Sequence, residues 1–191
     1  MVCLRSILFI GCLLISFLSF SQEKIERETK VKASKVPISA REWLSDAFEG
    51  LRKPKWYLEY SQSGLAYEAK FIWQSYFYSV KFDSLGILQD VEIEIQQNEI
   101  RAEVWQAMQR YFSGEFREIR IQKIQRQLLG DQSDLEDFFD ENETKGITIR
   151  YEIVFEGKSE AWQVWEALFD ESGLLISVIK VQPRPLDNLV F

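Results

Sequence analysis

From Ala40 to Leu51 the apolar residues Trp43, Leu44, Ala47, Phe48 and Leu51 recur three and four apart, the spacing of one helical face, behind a start at Pro37 and Ser39. Past the basic break Arg52-Lys53-Pro54-Lys55 the period falls to two, which marks strands whose side chains alternate between faces. Trp56, Leu58 and Tyr60 alternate with Lys55, Tyr57 and Glu59. Tyr67, Ala69, Phe71 and Trp73 then alternate with Glu68, Lys70 and Ile72. Tyr76, Tyr78, Val80 and Phe82 follow a tight connection at Gln74-Ser75, and Ile87, Gln89, Val91, Ile93 and Ile95 follow the turn Asp83-Ser84-Leu85-Gly86. The pattern predicts one helix and a four-stranded antiparallel meander over 37–97, with one apolar face turned to the helix.

Residues 98–182 repeat the order. Ile100, Val104, Trp105, Met108, Tyr111 and Phe112 keep a helical period, and Ile119, Ile121, Ile124 and Leu128 mark a strand. Tyr151-Glu152 with Phe155 echoes Tyr67-Glu68 with Phe71. Phe169-Asp170-Glu171-Ser172-Gly173 echoes Phe82-Asp83-Ser84-Leu85-Gly86. The expected fold class is therefore α+β, a tandem duplication of an αββββ unit forming an extended antiparallel sheet with helices packed on one face.

In front of these units, Arg5 precedes the apolar run Ile7 to Phe20, with small residues at Ser19 and Ser21, the form of a secretory signal peptide over 1–21 cut before Gln22. Two rival readings are a lipoprotein cut at Gly11-Cys12 and an uncleaved anchor. Residues 22–36 are rich in Lys and Glu and read as a polar leader, and 183–191 as a tail. Both cysteines, Cys3 and Cys12, leave with the signal peptide, so the exported chain has no disulfide and relies on its core. The expected location is the periplasm or outside the cell, with no membrane span left after cleavage.

Composition narrows the chemistry. The chain has no His, which removes imidazole as base, shuttle or zinc ligand. A net charge of -7 argues against a nucleic-acid partner held through phosphates. No Gly-x-Ser-x-Gly, Ser-x-x-Lys or phosphate-binding glycine loop occurs on a suitable element, and no cofactor is implied. Asp83 and Asp170 begin hairpin turns closed by Gly86 and Gly173, a sufficient reason for both acids. The insertion 131–143 carries seven acids and no Lys or Arg. It reads as solvated, with Ser133 and Glu136 as a capping box opening a short helix through Phe138 and Phe139. Asp131, Asp134, Glu136 and Asp137 are weak candidates for a cation, since the loop glycine of a calcium site is missing.

Aromatic residues make up 14% of the chain, more than the strand frame facing the helices uses. Tyr57, Ile72 and Phe77, with Trp162, Val164 and Leu168, fall on the opposite frame. Large side chains among charges are typical anchors of a binding surface. An equal alternative is that they cover a neighbouring strand or a dimer contact.

Val36-Pro37 opening the first helix, Lys55-Trp56, Tyr67-Glu68-Ala69-Lys70-Phe71, Tyr78-Ser79-Val80-Lys81-Phe82-Asp83 and Gly86 resemble the PepSY-like, or beta-lactamase-inhibitor-like, family of exported bacterial proteins. The resemblance spans about residues 36–182 and implies two αβ4 units side by side in the periplasm. It carries over no catalytic residue. It implies an open sheet face that grips a protein through aromatic and acidic side chains. Asn98 and Ile100 replace the proline expected at the second helix start. The function expected is a non-enzymatic exported module that binds a protein or peptide through the sheet face away from the helices, anchored by Tyr57, Phe77, Trp162 and Val164. The alternative is a carrier of a small hydrophobic ligand or lipid, with a cavity between helices and sheet. A carboxylate hydrolase ranks last.

Overall fold

The structure, a computed structural model, describes residues 23–24, 27–61 and 64–181. The expected signal peptide, its cut site, both cysteines and the tail lie outside the described residues. Strands β1 (Glu23–Lys24) and β2 (Arg27–Val31) precede helix α1 (Ile38–Ala47). Strands β3 (Lys55–Ser61), β4 (Gly64–Trp73), β5 (Tyr76–Asp83) and β6 (Leu88–Glu94) follow, then helix α2 (Ala102–Glu115) and β7 (Glu118–Leu129). Helix α3 (Gln132–Glu141) comes next, and β8 (Thr148–Lys158), β9 (Trp162–Asp170) and β10 (Leu175–Val181) complete the order. All strands join one ten-stranded sheet in the order β1-β10-β9-β8-β7-β6-β5-β4-β3-β2.

The α+β class stands, but the expected tandem duplication of an αββββ unit in an antiparallel sheet is corrected on two points. Helix α3 interrupts the second set of strands between β7 and β8. The polar leader contributes strands, β2 pairing antiparallel with β3 and β1 pairing parallel with β10, so the sheet is not wholly antiparallel. The expected extended sheet is continuous, with β6 paired directly to β7. The leader escaped the hydrophobic pattern because Arg27-Glu28-Thr29-Lys30-Val31 is held by backbone hydrogen bonds at an edge, where apolar alternation is not required.

The acidic insertion is also corrected. The expected short helix forms, but it is not wholly solvated: Leu135 is fully buried and Phe138 and Phe139 pack on the core, with the acids on the other sides of α3. Trp43 Nε1 donates to the Gln132 carbonyl at 3.1 Å, tying α3 to α1. The helix starts two residues earlier than expected. Asp131 is the N-cap, and no Ser133 capping bond forms.

The helix-facing side of the sheet holds an aromatic core. The fully buried Phe48 ring lies 4.6 to 6.1 Å from the rings of Phe139, Phe71, Trp73, Tyr78 and Trp43. Under α2, Phe112 packs edge-on against Phe155 at 4.9 Å and Phe169 at 5.6 Å. The register shifts at a bulge between β5 and β6, so Leu88 enters the core while Ile87, expected inside, is exposed. Tyr60 and Tyr76 belong to the helix-facing frame but are exposed near the ends of their strands.

Gly86 sets how closely α1 meets the β5–β6 turn. Its φ is +85°, and an added Cβ would fall 2.4 Å from Ser39 Oγ and 2.7 Å from Pro37 Cβ. Ser39 Oγ donates to the carbonyls of Leu85 and Gly86 across this contact.

The two edges of the sheet must approach each other. Two residues separate Lys24, paired to β10, from Arg27, paired to β3. Three Cα steps span at most about 11 Å, whereas nine strand spacings laid flat would put β1 and β2 about 43 Å apart. The sheet therefore curls, and the burial of Glu59, Glu68, Gln125 and Glu152 on the face without helices makes that face the concave side.

Truncating Leu135 tests whether α3 belongs to the core. Leu135→Ala is expected to destabilise the protein by about 2–5 kcal/mol in urea unfolding, as for a buried leucine. A change below about 0.5 kcal/mol, usual for a surface site, would restore the solvated insertion.

Candidate functional site on the concave polar face

Alternation along each strand sends one frame to the helices and the other to the concave side. Cross-strand register groups the second frame into rows. Tyr57, Glu68, Lys81 and Asp90 form one, and Ser79, Glu92, Gln127, Arg150 and Asp170 another. Glu94, Gln125, Glu152 and Leu168 form a third.

No helix covers this face, yet several of its polar residues are buried: Glu59 is 4% exposed, Glu68 6%, Gln125 3% and Glu152 9%. Curvature supplies the cover, because side chains on a concave face converge. Lys81 of β5 reaches Glu59 of β3 at 3.0 Å, and Lys70 of β4 reaches Glu28 of β2 at 2.9 Å, each across an intervening strand. Lys70 also pairs with Glu68 at 3.0 Å, and Ser79 Oγ donates to Glu68 Oε1. Burial pulls the Lys70 ammonium down, but the Glu68 charge and the bonds to Glu28 and Glu68 outweigh it and hold the pKa above its usual value.

Asp90 is the exception in this network. Removal from water, then the negative charge of Glu92, pushes its carboxyl up to about 7. Lys81 opposes the shift, and Glu68 and Glu59 add to it. Gln127 Nε2 donates to Asp90 Oδ2 at 3.4 Å, and Gln125 Nε2 donates to Glu92 Oε2 at 2.8 Å. With their amide nitrogens so used, the buried Oε1 atoms of Gln125 and Gln127 accept no hydrogen bond.

All four anchors expected from the sequence lie on this face, but not as one patch. Phe77, 39% exposed, stands beside Ile72, 72% exposed, as a cross-strand pair at the β4–β5 end. Trp162 lies under Arg120, 4.2 Å from its ring centroid, and near Lys158 at 5.6 Å. Tyr57 carries Lys70 over its ring at 5.2 Å. Val164 is half-buried opposite Glu156.

The metal candidates Asp131, Asp134, Glu136 and Asp137 stay with α3. Burial first, then Asp46, Asp137 and Asp140, raises the Glu136 carboxyl. Among the described residues, the carboxylates whose oxygens come within 4.8 Å of one another are Glu28, Glu59 and Glu68. Lys70 and Lys81 already supply positive charge there, so this donor set does not fit a metal ion. The turn acids act as expected: Asp83 Oδ1 accepts from the Leu85 and Ile87 amides, and Asp170 Oδ1 from the Ser172 and Leu174 amides.

The sequence reading did not single out Glu59, Glu68, Gln125 or Glu152. The available signal was the regular return of Glu, Gln and Lys on one strand frame, which looks the same whether that frame is solvated or folded inward.

No family model and no curated protein sequence matches the chain. Solved structures do. A DUF2874 family protein from Bacteroides uniformis ATCC 8492 superposes with a TM-score of 0.52 at 15% identity, covering 76% of this chain and 89% of that one. A BLIP-like protein from Bacteroides fragilis NCTC 9343 gives 0.50 at 14% identity, with 80% and 92% covered. A protein from Bacteroides eggerthii DSM 20697, provisionally described as periplasmic, gives 0.50 at 17% identity, with 76% and 88% covered. The shared feature is a BLIP-like fold. No helix among the described residues is long and apolar enough to cross a membrane.

The Asp90 carboxyl makes stability depend on pH. The folded protein holds this proton more tightly than the unfolded chain does, so its contribution to stability is full below the ordinary carboxylate range of about 4 and is lost as pH rises toward about 7. Asp90→Asn is expected to flatten that part of a pH series of urea midpoints and to exceed wild type in stability at pH 8. An unchanged slope would remove Asp90 as its source.

Proposed function

We propose that the chain is an exported, non-enzymatic binding module that takes a protein or peptide segment against its concave sheet face. The carrying observation is the pair Ile72 and Phe77, large apolar side chains exposed side by side at the rim of a charged, helix-free face. Such pairs lose water readily on contact, while the charged floor selects what lies beyond them. The BLIP-like fold of the structural neighbours supports the same reading, as does the resemblance to PepSY-like exported proteins carried by Val36-Pro37 and the Tyr67 to Phe71 strand. Periplasmic or secreted location belongs to the proposal, resting on the leader over 1–21 and the neighbour provisionally described as periplasmic. The carrier alternative requires space between helices and sheet, where Phe48 and its ring partners pack.

Affinity capture from a bacterial periplasmic extract tests the face. Phe77→Ala and Trp162→Ala are each expected to weaken retention of a captured partner by about tenfold, the loss of one anchor, while Ile38→Asp, exposed on α1, leaves it intact. Equal retention by all three would rule out the concave face. The intact mass of the exported protein is expected to place its first residue at Gln22. A lipid-modified start at Cys12 would favour the lipoprotein reading.

A further inference from the structure

The two sides of the sheet end in strands of opposite character. β2 carries Arg27, Glu28 and Lys30, the kind of charged side chains that keep an edge from pairing with another chain. β10 has no such guard. From Leu174 to Ile179 there is neither a charge nor a proline, a composition that suits a strand paired on both sides.

β6 shows the same local design with a neighbour on each side. It follows an Asp-to-Gly turn, sets Leu88 opposite the buried Phe82 and bulges at Gln89; β10 follows a like turn, sets Leu175 opposite the buried Phe169 and bulges at Ile176. With β7 along the far side of β6, Leu88 is 8% exposed and Val91 fully buried. On β10 the matching Leu175 is 38% exposed, Ile176 48%, and Val178 half-buried. Among the described residues, the far side of β10 carries β1 at Lys180 and Val181, and none pairs there along 175–179. A chain cut before Gln22 keeps one residue ahead of Glu23, too little to cover that stretch.

We propose that this edge pairs antiparallel with β10 of a second copy of the chain, about a two-fold axis near Ser177. A two-fold contact needs a surface that complements itself, and an uncharged apolar strand meets its own copy without like charges face to face. Charge sets the direction. Asp170 and Glu171 precede β10 and Lys180 lies near its end, so an antiparallel copy brings unlike ends together and a parallel copy brings like ends together. Backbone groups of 175–179 that point away from β9 then exchange water for a strand, and Leu175 and Ile176 leave water with them. This edge is separate from the concave face, so the dimer and the binding face fail independently.

Sedimentation velocity of the exported protein over a micromolar concentration series is expected to show a monomer–dimer equilibrium. Ile176→Lys brings a lysine from each copy to the axis and is expected to weaken dimerisation by about tenfold, with circular dichroism confirming the fold. Ile38→Lys, exposed on α1, leaves it unchanged. Because Cys3 and Cys12 leave with the leader, Ser177→Cys supplies the one thiol of the exported chain. A short bismaleimide is expected to link two copies through that thiol, and not through Ser113→Cys on the exposed side of α2. A monomer at every concentration means that the edge takes a different strand or stays open, and overturns the proposal. A dimer that Ile176→Lys leaves intact, or that links no better through position 177 than through 113, overturns it equally.

Discussion

Two residues of backbone join a strand paired to one edge of the sheet to a strand paired to the other. That covalent limit, about 11 Å at full stretch, cannot be met by a flat sheet of ten strands. The sheet must curl, and curling gives its two faces different solvent conditions even though no helix lies on one of them. On the convex side three helices supply the cover. On the concave side the strands cover one another's side chains.

The convex core depends on rings more than on aliphatic packing. Phe48, at the end of α1, touches rings from α1, β4, β5 and α3, so one side chain joins the first helix, the sheet and the third helix. Edge-on contacts of this kind add about 0.5–1.5 kcal/mol beyond the area they bury. The turn at Gly86 fixes where α1 starts over the sheet, because a side chain there would strike Pro37 and Ser39. Turn chemistry, helix placement and ring packing are thus one linked set of constraints, and α3 closes it by covering Phe48 with Phe139.

On the concave face the same curvature converts an ordinary polar frame into a buried electrostatic network. Lys70 and Lys81 span strands to reach carboxylates, which holds the β2 to β5 side together. Further round, at β6 to β8, the match is less complete: Asp90 is buried beside Glu92, and the buried Oε1 atoms of Gln125 and Gln127 accept no hydrogen bond. A sheet used only for packing would have little reason to retain such a mismatch, since buried polar groups left unsatisfied lower stability.

Local periodicity was enough to locate α1, α2 and the strands β3 to β10, because helical and strand spacings are properties of neighbouring residues. Asp83 with Gly86 and Asp170 with Gly173 were likewise legible as turns, since their hydrogen bonds close within four residues. The leader strand was not legible, because Arg27 to Val31 is held by edge backbone pairing and by the Glu28–Lys70 ion pair, neither of which leaves an apolar alternation. The place of α3 was hidden for a related reason: seven acids outweigh Leu135, Phe138 and Phe139 in any average, and only the groove beside Phe48 determines which side of that helix matters. Sequence alone also separated the concave frame from the convex one, except at the bulge where Leu88 takes the place expected of Ile87. Whether Glu68, Gln125 and Glu152 would meet water or each other was decided by the closure of the sheet, a long-range consequence of chain connectivity that alternation along a strand cannot encode.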